Sequence, residues 1–338
     1  MIDFRSDTVT RPCTQMKKAM FEAELGDDVY GDDPTVNALE QYANERHGFE
    51  SALFTSSGTQ ANLLALMAHC ERGDEYLCGQ NAHNYKYEAG GAAVLGSVQP
   101  QPIENEADGS LCFTKLKSAI KADDFHFART KLLSLENTIG GQVLSLEYMA
   151  QAQQFCQQNQ LILHLDGARV YNAAVALGVD VTQISQYFNS MTVCLSKGLG
   201  APIGSLLLGD KAFIAKARRI RKMLGGGMRQ AGFLAAAGQY ALLHNVERLA
   251  EDHDNAKYLA KQLNEVKGFN TSAYRVSTNI VYVDVAQSID LKALTTTLAE
   301  NGILLTSSYA GMRLVTHKDI NKMSIDTLIY SLNQFVSK

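Results

Sequence analysis

The fold is decided by residues 161–200, which read LILHLDGARVYNAAVALGVDVTQISQYFNSMTVCLSKGLG. Two apolar runs, at 161–165 and 191–195, predict strands that helices cover on both faces. The amphipathic stretch between them, at 169–177, predicts a helix. A strand, a helix and a second strand in this order indicate a βαβ unit, whose two strands run parallel.

The same alternation extends through the first 230 residues. Further strand-like runs alternate with amphipathic stretches and predict a largely parallel α/β sheet between helices. After a long helical stretch at 230–266, residues 279–285 alternate like an antiparallel strand. We therefore predict a large α/β domain over residues 1–245 and a small α+β domain over 246–338. The further runs lie at 51–55, 76–79, 93–98, 131–135 and 205–208.

Composition narrows the class of protein. The 338 residues are 46% apolar and 20% charged, as in globular proteins rather than disordered or collagen-like ones. The formal net charge of −4 argues against nucleic acid as a partner. The sequence has neither an apolar run near the ~20 residues of a membrane span nor a signal-peptide core. Six scattered cysteines without a CxxC pair indicate reduced thiols and no metal site, so we expect a cytoplasmic protein.

A candidate anion-binding cup follows the predicted strand at 51–55. Ligands collect at the carboxyl ends of the strands in an open α/β sheet. Ser57, Gly58 and Thr59 open the next helix there, and the N–H groups of a helix N-terminus bind anions. The same residue types also form ordinary helix caps, so the cup alone decides nothing.

Asp166 and Lys197 follow the two strands of the unit at 161–200. They are 197 − 166 = 31 residues apart, about the length of one βαβ unit, which predicts neighbouring positions at one sheet edge. Arg169 lies at the same edge, where an ion pair with an acid is as good an explanation as function. A cup, a carboxylate and a lysine are the parts that hold pyridoxal phosphate. A Walker-type nucleotide site would require GxxxxGK[ST], which the sequence lacks.

Motifs along the whole chain carry a family resemblance. They include RSDTVTRP from Arg5, GDDVYGDDPTVNALE from Gly26, SGTQANL from Ser57, LDGAR from Leu165 and CLSKGLGAPIGSLLLG from Cys194. On these motifs the chain resembles the low-specificity L-threonine aldolases, which are pyridoxal-phosphate enzymes of fold type I. The resemblance implies a mostly parallel seven-stranded sheet with a small C-terminal domain. It also implies reversible cleavage of L-threonine, L-allo-threonine and other L-β-hydroxy-α-amino acids to glycine and an aldehyde.

The resemblance implies which residues bind the cofactor. Lys197 would form the Schiff base with pyridoxal 5′-phosphate, Asp166 would hold the pyridine nitrogen, and His83 would stack on the ring. The other cofactor contacts would be Ser57, Gly58, Thr59, Arg169, Lys222 and Arg229. The last two resemble residues that reach a phosphate in the neighbouring subunit, so we expect a homo-oligomer with shared sites, built as a dimer of dimers.

Substrate residues are implied in the same way. Ser6, Arg169 and Arg313 resemble the residues that bind the substrate carboxylate, for which arginine presents a planar fork. Arg313 belongs to the predicted small domain, so the substrate would lie between the two domains.

Two histidines, two tyrosines and one departure complete the candidate set. The base that removes the β-hydroxyl proton has three candidates: His83, His126 or a water that they position. His126 has the sequence context of an edge strand, and the family places it near that hydroxyl. Tyr30 and Tyr87 are candidate lining residues. Ile139 stands where the family usually has histidine, which affects the loop near the β-carbon and the stereochemical preference.

Three alternative functions remain on this scaffold. The chain would then be a β-eliminating lyase like tryptophanase, an enzyme like serine hydroxymethyltransferase, or a non-catalytic pyridoxal-phosphate-binding regulator. A regulator of this kind usually carries a DNA-binding module, and no basic helix-turn-helix extension is visible. Conversion of threonine to acetaldehyde without tetrahydrofolate distinguishes the aldolase.

Overall fold

The computed structural model describes residues 1–273, 275–308 and 311–337. The strands are β1 (Ile2–Asp3), β2 (Ser51–Thr55), β3 (Glu75–Gly79), β4 (Gln99–Ile103), β5 (Thr130–Glu136), β6 (Ile162–Gly167), β7 (Ser190–Cys194), β8 (Ser205–Gly209), β9 (Phe269–Asn270), β10 (Ile280–Val285), β11 (Ile303–Leu304), β12 (Thr306–Ser308) and β13 (Gly311–Val315). The helices are α1 (Thr14–Phe21), α2 (Pro34–His47), α3 (Gly58–His69), α4 (His83–Lys86), α5 (Gly91–Val94), α6 (Phe113–Ala119), α7 (Leu146–Gln158), α8 (Val170–Leu177), α9 (Thr182–Ser185), α10 (Lys211–Met223), α11 (Gly232–His244), α12 (Leu249–Leu263), α13 (Leu291–Glu300) and α14 (Lys322–Val336), with a short 3₁₀ helix at Asp7–Val9. Within these described ranges, no helix is long and apolar enough to cross a membrane.

A seven-stranded sheet forms the centre of the fold, in the order β2-β8-β7-β6-β5-β3-β4. From β7 to β4 all neighbours are parallel, and β8 alone runs antiparallel to both its neighbours, β2 and β7. Every residue of β3, β7 and β8 is buried, as expected for strands with helices on both faces. The predicted fold class is confirmed, and so is the parallel pairing of β6 with β7 inside residues 161–200.

One predicted strand is wrong. Residues 93–98 fall on α5 and the turn after it, and the strand at this place is β4, with the sequence QPQPI. Proline lacks the N–H that a central strand needs, so Pro100 and Pro102 argue against a strand. However, β4 is the edge strand and pairs with β3 alone. The two prolines alternate along β4, so both nitrogens face the unpaired side.

The predicted long helix at 230–266 is two helices, α11 and α12. The chain turns at Asn245, whose side-chain Nδ2 donates to the carbonyl of Leu199 at 2.7 Å. The segment between the helices contains neither glycine nor proline, the residues that usually mark the end of a helix. The sequence therefore gives no signal for the break. A tertiary hydrogen bond stabilises the turn instead.

The N-terminal residues pack against the C-terminal part of the chain. A four-stranded antiparallel sheet, β12-β13-β10-β9, forms there, and β1 pairs in parallel with β11 beside it. Phe4 is fully buried in this second apolar core, with Leu259 and Leu314. The Val315 N–H donates to the Phe4 carbonyl at 2.9 Å. The division of the chain near residue 245 stays a prediction.

Because Phe4 is fully buried, Phe4→Ala should lower the free energy of unfolding by about 3–5 kcal/mol. Phe125→Ala is the matched control, since that side chain is 92% exposed and its loss should change stability by less than about 0.5 kcal/mol. Urea unfolding followed by circular dichroism measures both. Equal effects of the two substitutions would contradict the N-terminal docking.

Candidate active site

A cavity of about 800 Å³ opens at the carboxyl ends of the parallel strands. Lys197 and Glu136, which follow and end β7 and β5, line it from the central sheet, and Tyr282 and Arg313 line it from β10 and β13. The lining therefore joins the central sheet to the C-terminal sheet. Of the predicted site residues it includes Ser6, His83, Tyr87, Arg169, Lys197 and Arg313, together with Ile139.

Lys197 lies partly buried in the loop after β7. Its backbone carbonyl accepts a hydrogen bond from Thr10 Oγ1 at 3.0 Å, which ties the loop to the N-terminal residues. Its ammonium charge acts on Asp7, His83 and Glu136. The amine is thus within electrostatic reach of three other titratable groups at this sheet edge.

Asp166 belongs to a buried hydrogen-bond network. Its Oδ2 accepts from Asn62 Nδ2 at 2.7 Å, and its Oδ1 accepts from the Ala168 N–H at 3.0 Å. Asn62 Nδ2 also donates to Glu88 Oε1 at 2.8 Å, and the same oxygen lies 2.8 Å from His83 Nδ1. One ligand-type atom of each of His83, Glu88 and Asp166 lies within 4.8 Å of the others. The carboxylate and the imidazole predicted to contact the cofactor are therefore linked through Glu88.

Burial and neighbouring charges shift the pKa values in this network. Burial raises the pKa of Glu88, against the hydrogen bonds from His83 and Asn62. The hydrogen bond to Glu88 raises the pKa of His83, against its own burial. Burial first and the charge of Asp166 second raise the pKa of Glu136 to about 8. At neutral pH Glu136 is therefore mostly a neutral acid, whose Oε2 accepts the His83 backbone N–H at 2.8 Å.

Arg169 is held by a buried carboxylate that the sequence did not suggest. Its Nε and Nη2 donate to Asp7 Oδ2 and Oδ1 at 2.8 and 2.6 Å, and Asn279 Nδ2 donates to Asp7 Oδ2 at 3.2 Å. Burial opposes ionisation of Asp7, but Arg169 holds its pKa at about 2. The ion pair uses two of the five guanidinium N–H groups, so three remain as donors for a ligand.

Ser6 and Arg313 also line the cavity, and both are held by hydrogen bonds of the N-terminal segment. Ser6 Oγ accepts the Thr8 N–H at 3.2 Å and caps the short 3₁₀ helix. Arg313 Nη2 donates to the Arg5 carbonyl at 3.1 Å. The N-terminal segment therefore positions both side chains at the cavity.

The predicted anion cup lies at the first turn of α3. Ser57 is the N-cap, and its Oγ accepts the Gln60 N–H at 3.1 Å. Gly58 and Thr59 follow, where backbone N–H groups have no acceptor within the helix. The three cup residues lie outside the cavity lining. However, a Cβ at Gly58 would lie 3.9 Å from the Sγ of Cys194 at the end of β7, so the cup adjoins the strand that precedes Lys197.

Asp166, like the cup residues, lies outside the cavity lining, and so do three predicted residues that are exposed on the single chain. Lys222 is exposed in the last turn of α10, and Tyr30 is 77% exposed. The Arg229 side chain is 53% exposed and pairs with Asp27 at 2.9 Å. Their roles stay predictions.

The edge-strand prediction for His126 is wrong. The residue lies in a turn between α6 and β5, with its side chain 66% exposed and outside the cavity lining. Asp124 Oδ1 accepts the His126 N–H at 2.9 Å and lies 2.6 Å from its Nδ1. An aspartate that bonds to the backbone two residues on stabilises a turn, which overrides the short Phe-His-Phe alternation.

Ile139 forms part of the apolar wall of the cavity. It is 7% exposed, and a Cβ at Gly109 would fall 2.3 Å from its Cγ2. Gly109 therefore leaves the space that the branched side chain fills. Ile139 lies on the same cavity wall as Gly140 and Gln142.

Four polar residues were missed by sequence reasoning: Asp7, Asn62, Glu88 and Glu136. Asp7 and Asn62 lie within RSDTVTRP and SGTQANL. Glu88 and Glu136 lie within two further motifs of the same resemblance, AHNYKYEAGGAAVLGS from Ala82 and HFARTKLLSLENT from His126. Two of the four have partners distant in sequence, 162 residues for Asp7 with Arg169 and 104 for Asn62 with Asp166. Membership of a motif was thus the one available signal.

Comparison with known proteins gives a family match and close relatives. A family model described as "Beta-eliminating lyase" matches residues 3–288. The chain is 54% identical to the low specificity L-threonine aldolase of Escherichia coli (strain K12), over 100% of both chains. It is 43% identical to low-specificity L-threonine aldolase 1 of Arabidopsis thaliana, over 99% of this chain and 95% of the relative.

Two solved structures have the same fold. The threonine aldolase of Leishmania major aligns with a TM-score of 0.84 over 99% of this chain and 100% of that one, at 19% identity. A putative L-allo-threonine aldolase from Listeria monocytogenes EGD-E aligns with a TM-score of 0.82 over 98% and 96%, at 20% identity. At such identities the likeness concerns the fold alone.

The buried pair of Asp7 with Arg169 predicts a pH-dependent contribution to stability. The folded-state pKa of about 2 lies below the ordinary 3.8, so ionised Asp7 stabilises the fold above pH 4. That contribution, about 2 kcal/mol, is lost as the pH falls from 4 through 2. Asp7→Asn should cost about 3–5 kcal/mol at pH 7, because Arg169 stays buried and unpaired.

Urea unfolding across this pH range measures the effect. The gap between Asp7→Asn and the parent should narrow below pH 4. Asp180→Asn is the matched control, because Asp180 pairs with Arg46 on the surface and its loss should cost less than about 1 kcal/mol. A gap that stays constant down to pH 2 would refute the ion pair as its cause.

Proposed function

Because the chain belongs to the low-specificity L-threonine aldolases, within the β-eliminating lyase family, we propose that it cleaves L-threonine and L-allo-threonine to glycine and acetaldehyde. The family resemblance carried by the motifs is thereby confirmed. In this reaction the Cα–Cβ bond breaks, the β-hydroxyl loses its proton, and Cα gains one. The reverse direction joins glycine to an aldehyde, and other L-β-hydroxy-α-amino acids give the corresponding aldehydes.

One observation carries the proposal: Asp166, near the end of β6, and Lys197, in the loop after β7, come from adjacent parallel strands at the edge where the cavity opens. The donor set around them fits pyridoxal phosphate, the cofactor on which threonine aldolases depend. Lys197 offers a primary amine, Asp166 a buried carboxylate, and the first turn of α3 an anion-binding helix end. Lys197 would form the Schiff base, and Ser57, Gly58 and Thr59 would bind the phosphate.

When bound, pyridoxal phosphate supplies a ring that accepts the electron pair of the broken Cα–Cβ bond. The chain's own residues then orient the cofactor and the substrate and move protons. Asp166 would hold a proton at the ring nitrogen, and His83 would stack on the ring. Arg169 and Arg313, with Ser6, bind the substrate carboxylate. Of the two arginines, Arg169 is the more constrained, since Asp7 orients its guanidinium.

We assign the β-hydroxyl proton to His83, directly or through a water that it positions. His83 lines the cavity, and Glu88 orients its ring through Nδ1. The hydrogen bond to Glu88 raises the pKa of His83, which makes the imidazole a stronger proton acceptor. His126 lies at an exposed turn of the single chain, which favours His83 of the two.

A second chain completes the proposed site. Lys222 and Arg229 are exposed and outside the cavity lining, as expected of residues that serve a neighbouring subunit. We therefore propose a dimer with shared sites, paired into a tetramer. Tyr87, at the cavity, and Tyr30, outside it, are proposed lining residues of the assembled site. A cytoplasmic location stays a prediction from composition.

A second candidate function is β-elimination, which the description of the matching family model favours. That reaction would release ammonia and a keto acid instead of an aldehyde. Incubation of the purified protein with pyridoxal phosphate and L-allo-threonine, without tetrahydrofolate, distinguishes the two. Acetaldehyde, detected by NADH oxidation with alcohol dehydrogenase, supports the aldolase, and keto acid without acetaldehyde contradicts it.

Lys197→Ala should lower the rate of acetaldehyde release by about 10³-fold or more, because the covalent contact to the cofactor is lost. Lys257→Ala is the matched control, since that side chain is 62% exposed and outside the cavity lining. The coupled assay measures both variants. Near-parental turnover by Lys197→Ala would refute the site assignment.

His83→Phe should lower kcat/KM by about 10²–10⁴-fold while pyridoxal phosphate stays bound, because phenylalanine stacks but moves no proton. His126→Phe should have a smaller effect. The coupled assay and the cofactor absorbance measure the two properties separately. A larger loss in His126→Phe would assign the proton to that residue instead.

A further inference from the structure

Asn62 lies at the point where two buried carboxylates meet. It is 2% exposed on α3, and its Nδ2 donates to Asp166 Oδ2 at 2.7 Å and to Glu88 Oε1 at 2.8 Å. Its Oδ1 accepts from Thr192 Oγ1 at 3.2 Å. Both amide hydrogens and the amide oxygen are thereby used. The Thr192 hydroxyl also lies 3.4 Å from Asp166 Oδ1, and it is the two carboxylates, which only accept, that fix which end of the amide faces them.

The two carboxylates need such a donor. Asp166 is 2% exposed and Glu88 is 8% exposed, so water supplies little of their solvation. Ionised carboxylates accept hydrogen bonds and donate none, so two of them at this distance repel each other unless a donor lies between them. An amide gives each carboxylate one hydrogen and adds no charge. A lysine here would cancel one of the two negative charges, and an aspartate would add a third.

Other titratable groups lie near the pair of Asp166 and Glu88. His83 faces Glu88, while Lys197 and the mostly neutral Glu136 lie within electrostatic reach of the network from the other strands. His164, two residues before Asp166 on β6, is uncharged above pH 4, because burial lowers its pKa to about 3. Lys197 thus lies at the cavity lining, and Asn62 is the donor that bridges the two carboxylates.

The bond to Asn62 also determines what Glu88 does to His83. Glu88 Oε1 accepts from Asn62 and lies 2.8 Å from His83 Nδ1, so that nitrogen carries the hydrogen. The ring is then fixed with Nε2 as its remaining nitrogen. Asn62 therefore acts on two sites of the cofactor pocket, one through Asp166 and one through Glu88.

We propose that Asn62 is a positioning residue that lets Asp166 and Glu88 carry their charges together, so that Asp166 binds the ring nitrogen of pyridoxal phosphate while Glu88 orients His83. The proposal rests on the proposed function for the identity of the cofactor. It concerns cofactor binding and not turnover.

The test measures the dissociation constant of pyridoxal phosphate for the full-length protein by absorbance titration at several pH values. Asn62→Leu keeps the volume and removes the amide, and should weaken binding by about 10- to 100-fold near pH 8. The deficit should grow as the pH falls, since a carboxylate without its donor takes up a proton more readily. Asn62→Ser keeps one donor and should be intermediate.

Asn255→Leu is the matched control. It removes an amide whose Nδ2 donates to the Ile320 carbonyl at 3.0 Å, in the C-terminal region and outside the cavity lining. Its dissociation constant should equal that of the parent. Circular dichroism checks that each variant is folded, and Asn62→Ser carries the test if Asn62→Leu is not.

A rescue experiment separates positioning from space filling. Glu88→Gln added to Asn62→Leu removes one of the competing charges and should recover at least about fivefold of the lost affinity. A deficit that is independent of pH and is not rescued would show that Asn62 only fills space. Unchanged binding in Asn62→Leu would also overturn the proposal.

Failure of the proposed function gives a different result. A parent that binds pyridoxal phosphate without releasing acetaldehyde would overturn the proposed reaction, while the binding data still decide the role of Asn62.

Discussion

The parallel pairing of β6 with β7 is the constraint on which the rest of the site depends. It sets Asp166 opposite Thr192 of β7, the strand whose following loop contains Lys197. A carboxylate and a lysine that are distant in sequence thereby meet at the same sheet edge. The flanking strands extend this edge, since β5 brings Glu136 beside Asp166 in register. The chemistry of the cavity therefore follows from strand order, and loops add the remaining groups.

Buried charges connect this edge to the rest of the molecule. Asp7 binds Arg169, the N-cap of α8, and Asn279 of the C-terminal region, and Thr10 donates to the backbone carbonyl of Lys197. The N-terminal segment thus contacts both halves of the cavity.

Prediction from the sequence succeeded where local pattern and global fold agree. Residues 161–200 are apolar at successive strand positions, and the αβ alternation around them leaves few alternative topologies. It failed at β4, where an edge position tolerates prolines, and at Asn245, where a tertiary hydrogen bond breaks a helix. The roles of Asp7 and Asn62 depend on partners more than 100 residues away, which periodicity does not encode.

The central claim is that Lys197, after β7, binds the cofactor beside the carboxylate of Asp166, near the end of β6. Borohydride reduction of the protein loaded with pyridoxal phosphate, followed by peptide mass mapping, tests it most directly, because reduction makes the bond permanent. We predict one pyridoxyl group per chain, on Lys197. A pyridoxyl group on another lysine, or none in a protein that retains the cofactor absorbance, would contradict the account.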